Sequence, residues 1–406
     1  MKLPDRWHII PLNQVIRTLQ AGVSVNSLDE EVQDLKQIGI LKTSSVTTGR
    51  FDPRENKMVV QKDICRVKTP VQGDRIILSR MNTPCLVGAN AYVPQDYPNL
   101  FLPDRLWSLE PQGDFICMHW LSFVLGSSEY RQKLSELATG TSNSMKNISK
   151  DAVMALEIPY PPLPEQRRIA EFLGTWDEAI EKLERLIEAK KKRLSWIRAN
   201  ILTGKVRLKN HYANWKLQHL ASILDEHKEK SSGQELVHSV SVHKGVVNQI
   251  EHLGRNFAAK DTSNYNLAKP GDIIYTKSPT GDFPYGIIKL NQNDYNVIVS
   301  PLYGVFTPKW PELGIWLDCY FEASQNAINY LHPIIQKGAK NTINITNKTF
   351  LSNVLLLPTE QNEVQEICQI ISNIKAELVL LTQELDAFQK QKRGLMQKLL
   401  TGTWRV

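Results

Sequence analysis

Two sets of polar loop residues are the ones in this sequence whose types and grouping suit recognition chemistry. In the first half they are Thr47, Thr48, Arg50, Arg80, Asn82, Ser142, Asn143, Ser144 and Lys146. In the second they are His243, Lys244, Lys277, Ser278, Lys337, Lys340, Asn341 and Thr342. Lys and Arg neutralise phosphates, Arg forks onto the edge of a guanine, Asn pairs with an adenine, and hydroxyls complement either. The mixture suits reading a nucleic-acid duplex rather than making or breaking bonds. Polar loops are also what a solvated surface looks like, so these residues carry weight as clusters. His243 by itself carries the least.

Bond-making chemistry lacks its residues. There is no G-x-x-x-x-G-K-[ST] phosphate loop, no Asn/Asp-Pro-Pro-aromatic motif to hold a flipped base, and no glycine-rich methyl-donor loop. The Glu-x-Lys at Glu188 to Lys190 falls inside a long helical pattern, with no upstream acid to complete a nuclease site. No Ser or Cys stands in a nucleophile setting. The five cysteines occur singly, against both a zinc site and a disulfide framework. A net charge of +7 leans towards a polyanionic partner. Without a signal-like or membrane-length apolar run, a reducing cytoplasm is the expected setting.

The loops must be held by something, and the strongest pattern in the chain is a pair of long helices. From Glu165 to Leu208 the apolar residues Ile169, Leu173, Trp176, Ile180, Leu183, Ile187, Leu194, Ile197 and Ile201 step by fours and threes, interrupted by Lys190. From Glu360 the pattern returns as Ile367, Ile371, Ile374, Leu378, Leu381, Leu385, Phe388, Leu395 and Leu399, interrupted by Lys392. This is a coiled-coil seam. Both copies open on Glu-Gln and close on Leu-Thr-Gly, a helix stop.

The segments before each helix repeat as well. Asn214-Trp215-Lys216-Leu217 parallels Asp5-Arg6-Trp7-His8, and SVHKG at Ser241 parallels VTTG at Val46. PGDIIYTK at Pro270 parallels QGDRIILSR at Gln72, and KGAKNTINIT at Lys337 parallels TGTSNSMKNIS at Thr139. An internal duplication follows. The expected fold is α+β, with two similar globular α/β domains separated by two long antiparallel helices in a pseudo-two-fold repeat. The expected boundaries are 1–160, 161–206, 207–358 and 359–406. About 37 helical residues would hold the domains about 55 Å apart. With Ile169 opposite Leu399, Lys190 would face Leu378 and Lys392 would face Trp176. Each lysine would then snorkel outward or meet a third chain. Phe172, Leu186 and Trp196 lie off the seam and would need another cover.

PPLPEQRRIAEFL, the basic coiled coil ending in LTGKVRL, its echo QKRGLMQKLLTGTWRV and the Gly-Asp-x-Ile-Ile or Gly-Asp-Ile-Ile of each half together resemble the specificity (S) subunit of type I DNA restriction-modification systems. The resemblance covers the whole chain. It implies that each globular half is a target recognition domain for one half of a split DNA sequence. It also implies that the helices space the half-sites and dock two methyltransferase (M) subunits, which recruit restriction (R) subunits. S-adenosylmethionine, ATP and Mg would belong to those partners, and this chain would be non-catalytic. Where the family often carries Gly-x-Thr-Gln before each helix, this chain reads GTSNS and GAKNT. Two other readings account for less. A self-contained methylase or nuclease explains only the charge. A coiled-coil scaffold without DNA contact explains only the helices.

Overall fold

The run Arg75-Ile76-Ile77-Leu78-Ser79 shows no polar alternation, the pattern of a strand covered on both faces. In the computed structural model, which describes residues 4–142, 145–253, 261–337 and 343–406, it is an inner strand of a four-stranded antiparallel sheet. The order across that sheet is Ile16–Ala21, Leu106–Pro111, Arg75–Ser79, Asn90–Val93. Ile76 and Leu78 join a core that includes Trp120 and Leu121 of the helix Met118–Gly126. Ile77 points to a second core with Leu41, Val46 and Val93.

The second half repeats this layering. Its sheet runs Leu224–Glu226, Gly304–Pro308, Ile273–Tyr275, Ile288–Leu290. Ile273 and Tyr275 join a core with Trp316 and Leu317 of the helix Pro311–Phe321, and Ile274 joins another with Val246 and Val297. A two-stranded ladder ties each half to its long helix. His8–Pro11 pairs with Glu157–Tyr160 ahead of one, and Lys216–His219 with Val354–Leu357 ahead of the other.

The long helices span Leu163–Asn200 and Gln361–Leu400. The chain divides into two compact units, residues 1–183 with 384–406, and residues 184–383. Each unit holds half of each helix. In the first unit, Trp176 meets Phe388 edge-on at 5.6 Å, and Ile169 and Leu173 share a core with Leu399. In the second, Ile197 and Ile201 share a core with Ile367 and Ile371. Within each unit, therefore, the two helical segments run antiparallel. No helix among the described residues is long and apolar enough to cross a membrane.

Three expectations need correction. The seam lysines do not simply snorkel. Lys190 forms an ion pair with Glu377, and Lys392 pairs with Asp177 at 2.5 Å while lying over the Phe123 ring. These acids adjoin Leu378 and Trp176, and a four-carbon stem reaches past the apolar neighbour to them. Secondly, the VTTG and SVHKG segments differ in structure. Thr43–Val46 is a 3-10 turn, whereas Ser241 to Gly245 is the reversal of a hairpin between His238–Ser241 and Gly245–Asn248. Gly245, at φ +74, permits that tight reversal. Thirdly, the two Glu-Gln pairs are not equivalent, as the helix junctions reveal.

Candidate nucleic-acid interface

Each long helix begins with a buried glutamate, and each glutamate is held by the tail of the opposite helix. Trp7 donates Nε1–H to Glu165 at 3.2 Å, and Arg405 donates Nη2–H to the same carboxylate at 2.9 Å. In the second unit Trp215 donates to Glu363 at 2.9 Å, while Arg207 makes two parallel bonds at 2.7 Å. Glu363, not Glu360, thus matches Glu165. Glu360 lies outside this clasp and meets His211. Each arginine comes three residues after the Leu-Thr-Gly glycine. Gly204 and Gly402 have φ of +73 and +71, and a side chain at either would strike Trp215 or Pro4. The glycines therefore end the helices and turn the arginines back onto the glutamates.

On this frame the first-unit loops form two groups. Thr139–Ser142 and Met145–Asn147 make a hairpin whose second strand pairs with Met81–Asn82, placing Lys146 opposite Asn82. Arg80 precedes that strand. Its Nε donates to the Asp104 carbonyl at 2.7 Å, and its guanidinium lies over Trp107 at 5.8 Å. A guanidinium anchored along one edge is preorganised to present its terminal nitrogens. Asn82 spends its amide on Ser79 Oγ and accepts from the Thr83 N–H. Thr47, Thr48 and Arg50 belong to the other group, on the turn after Thr43–Val46. There Thr47 donates to the Ser44 carbonyl and Thr48 to the Arg50 carbonyl. Ser142 lies within its strand; Asn143 and Ser144 lie outside the described residues.

In the second unit, Lys277 and Ser278 follow Ile273–Tyr275, as Arg80 follows Arg75–Ser79. Burial lowers the Lys277 pKa, opposed by nearby Glu226. Gln336–Lys337 pairs with Ile343–Asn344 as the counterpart hairpin, so Lys337 is on its first strand. Lys340, Asn341 and Thr342 lie outside the described residues. His243 and Lys244 are exposed at the separate hairpin turn. The structure thus groups Arg80, Asn82 and Lys146, and leaves Thr47 to Arg50 and His243-Lys244 on elements of their own.

Among the described residues, two groups of side chains have the types and spacing to meet a metal: His211, Glu360 and Glu363, and Asp318, Cys319 and Glu322. Arg207 already occupies Glu363, and Arg198 and Lys375 occupy Glu322. Both read as ion-pair networks. Sequence reading missed Arg207, Arg405 and Lys289 altogether. The signals were present: an arginine at the same distance past each helix-stop glycine, and a lone lysine inside the apolar strand Ile288–Leu290.

Residues 56–191 match the family described as the type I restriction modification DNA specificity domain. The whole chain is 23% identical to the type I restriction enzyme EcoKI specificity subunit of Escherichia coli (strain K12), covering 89% of that protein. Half of it is 25% identical to the StySPI specificity subunit of Salmonella potsdam, covering 43% of that protein. The fold is shared with a type-I restriction-modification system S subunit from M. genitalium, at a TM-score of 0.59 over 98% of both chains and 15% identity. Duplicated α/β units with two long helices are the fold that this chain shares with that S subunit. This chain is similar along its full length to the EcoKI specificity subunit, and over residues 56–191 to the specificity-domain family.

Proposed function

We propose that the chain is the sequence-specific, double-stranded DNA-binding subunit of a type I restriction-modification complex. Each α/β unit reads one half of a bipartite target. The paired helices set the half-site spacing and dock methyltransferase subunits, through which restriction subunits join. The observation that carries this reading is the repeat itself. Two units share one sheet order, and each helix starts on a Trp-Glu-Arg clasp closed by the other helix. Such an arrangement presents two similar but differently equipped reading surfaces, which a split target requires.

Further support comes from chemistry. Cationic and amide side chains gather beside the inner strand in the first unit, as DNA readout needs. The helices also expose Phe172, Leu186, Trp196, Val379 and Leu380, with Leu380 at 65%. Apolar area of this kind on a charged helix is suited to cover by partner helices. S-adenosylmethionine, ATP and Mg belong, in this reading, to the partner subunits that do the chemistry.

The test is co-expression with a methyltransferase subunit of the same system, followed by methylation mapping of host DNA. A split motif with a fixed gap is expected. Exchanging the first unit's loops for those of a relative should change one half of the motif alone. A continuous motif, or a change in both halves, would overturn the division of labour.

A further inference from the structure

The two units differ at one buried place. In the first, Tyr92 pairs with Ile76 across the sheet, stacks on His119 at 4.6 Å, and His119 packs on Phe123. Aromatic rings fill the space beside the helix Met118–Gly126. In the second unit the counterpart of Tyr92 is Leu290, and beside it Lys289 pairs with Ile274 where the first unit has Ala91 paired with Ile77. Opposite it stand Asp318, Glu322, Arg198 and Lys375, around a cavity of about 720 Å³ bordered by the His243-Lys244 turn.

The charges there do not cancel. Glu322 is taken by Arg198 at 2.6 Å and Lys375 at 2.9 Å. Asp318 accepts from the Leu290 N–H at 3.1 Å, and burial pushes its carboxyl above the ordinary range. Against these two acids stand Arg198, Lys244, Lys289 and Lys375. Lys289 is only 5% exposed; its charge acts on Asp318 and Glu322, but it makes no side-chain hydrogen bond or close ion pair among the described residues. Burying an ammonium without a hydrogen-bonded partner is unfavourable. An anion in the cavity would relieve that cost.

We propose that this cavity binds a phosphate-class oxyanion. Lys289 is the principal contact, Arg198 and Lys375 flank it, and Lys244 closes the mouth. The volume exceeds one phosphate, leaving room for whatever carries it. That carrier is either the DNA backbone, a source that rests on the proposed function, or a free nucleotide or phosphate, which does not.

Calorimetry on the full-length protein with inorganic phosphate, against chloride at equal ionic strength, tests the site. Binding should weaken about tenfold or more in Lys289→Met and by a smaller factor in Lys244→Ala. The second measurement is duplex affinity against salt. If the DNA backbone is the source, Lys289→Met lowers the log–log slope by about one unit and leaves sequence preference intact. If the source is free, phosphate binding falls while the slope holds. Phosphate binding that persists in Lys289→Met would overturn the site, as would no phosphate binding together with an unchanged slope. Should Lys289→Met fail to fold, Lys244→Ala carries both measurements. A failed methylation map would count against the DNA reading without touching phosphate binding.

Discussion

Glu165 and Glu363 do the same work with unequal shielding, and that inequality gives a test. Glu363 is 1% exposed against an Arg207 side chain at 27%, whereas Arg405 over Glu165 is 45% exposed. Solvent screens the second pair more. Glu363→Gln should therefore cost about 2–3 kcal/mol, and Glu165→Gln only about 1 kcal/mol. Urea denaturation of the full chain measures both, and a larger loss for Glu165→Gln would refute the shielding argument. His211 adds a pH-dependent contact to the second clasp only. Glu366, then Glu360, raise its pKa above the ordinary 6.5. A raised folded value means that the folded protein holds the proton more tightly. The stabilisation is complete below 6.5 and drains away as pH rises through the folded value. His211→Gln should lower the melting temperature at pH 6 and converge with the parent at alkaline pH; a gap that widens with pH would contradict this. This pairing went unread in the sequence, although an arginine stands three residues past each helix-stop glycine. Glu165 and Glu360 look alike because each precedes a glutamine, and only burial identifies Glu363 as the true counterpart.

At the scale of elements, the sequence was clearest where a period runs long. The seam residues from Ile169 to Ile197 and Ile367 to Leu399 lie on the helices, and Ile201 lies just past the first helix, all fully or partly buried. Short polar segments were opaque. VTTG and SVHKG share composition but not structure, because a 3-10 turn and a hairpin reversal draw on the same residue types. The polar stretch from Gly140 to Ser149 reads as a loop, yet its Lys146 and Asn147 pair with Asn82 and Met81, long-range partners with no local signal. Two glycines, one within the second helix and one just past its end, make opposite predictions. Gly394 lies within the second helix with no atom near its absent side chain. Gly394→Ala should stabilise by about 0.5–1 kcal/mol. Gly402 has φ +71 and a Cβ there would lie 2.3 Å from Pro4 Cγ. Gly402→Ala should destabilise by about 1–3 kcal/mol. Denaturation midpoints of the two variants check the signs, and a shared sign would mean that one helix end is misread.

For the whole molecule, the duplication was legible because it recurs in both sequence and sheet order, whereas the place where the units diverge was not. Ala91 and Lys289 stand at matched positions of matched sheets, and the second of them is a buried cation. What the duplication implies for function is a ruler, and a ruler can be lengthened. The helices pass from one unit to the other between Leu183 and Glu184 and between Gln383 and Glu384. Because the segments are antiparallel within each unit, an insertion in one helix alone would slip the seam. Matched insertions of four residues after Leu183 and after Gln383 preserve the stepping to within a small twist. Four residues add about 6 Å of helix, against about 3.4 Å per base pair. Under the proposed function the gap between half-sites should grow by one or two base pairs, with both half-sequences unchanged. Each added pair also turns the second half-site by about a tenth of a helical turn. Affinity should therefore fall unless the junctions absorb the rotation. Methylation mapping of the variant with its methyltransferase partner reads the gap directly. The same motif with the same gap would show that the helices do not measure distance, and that the partner subunits place the two reading surfaces instead.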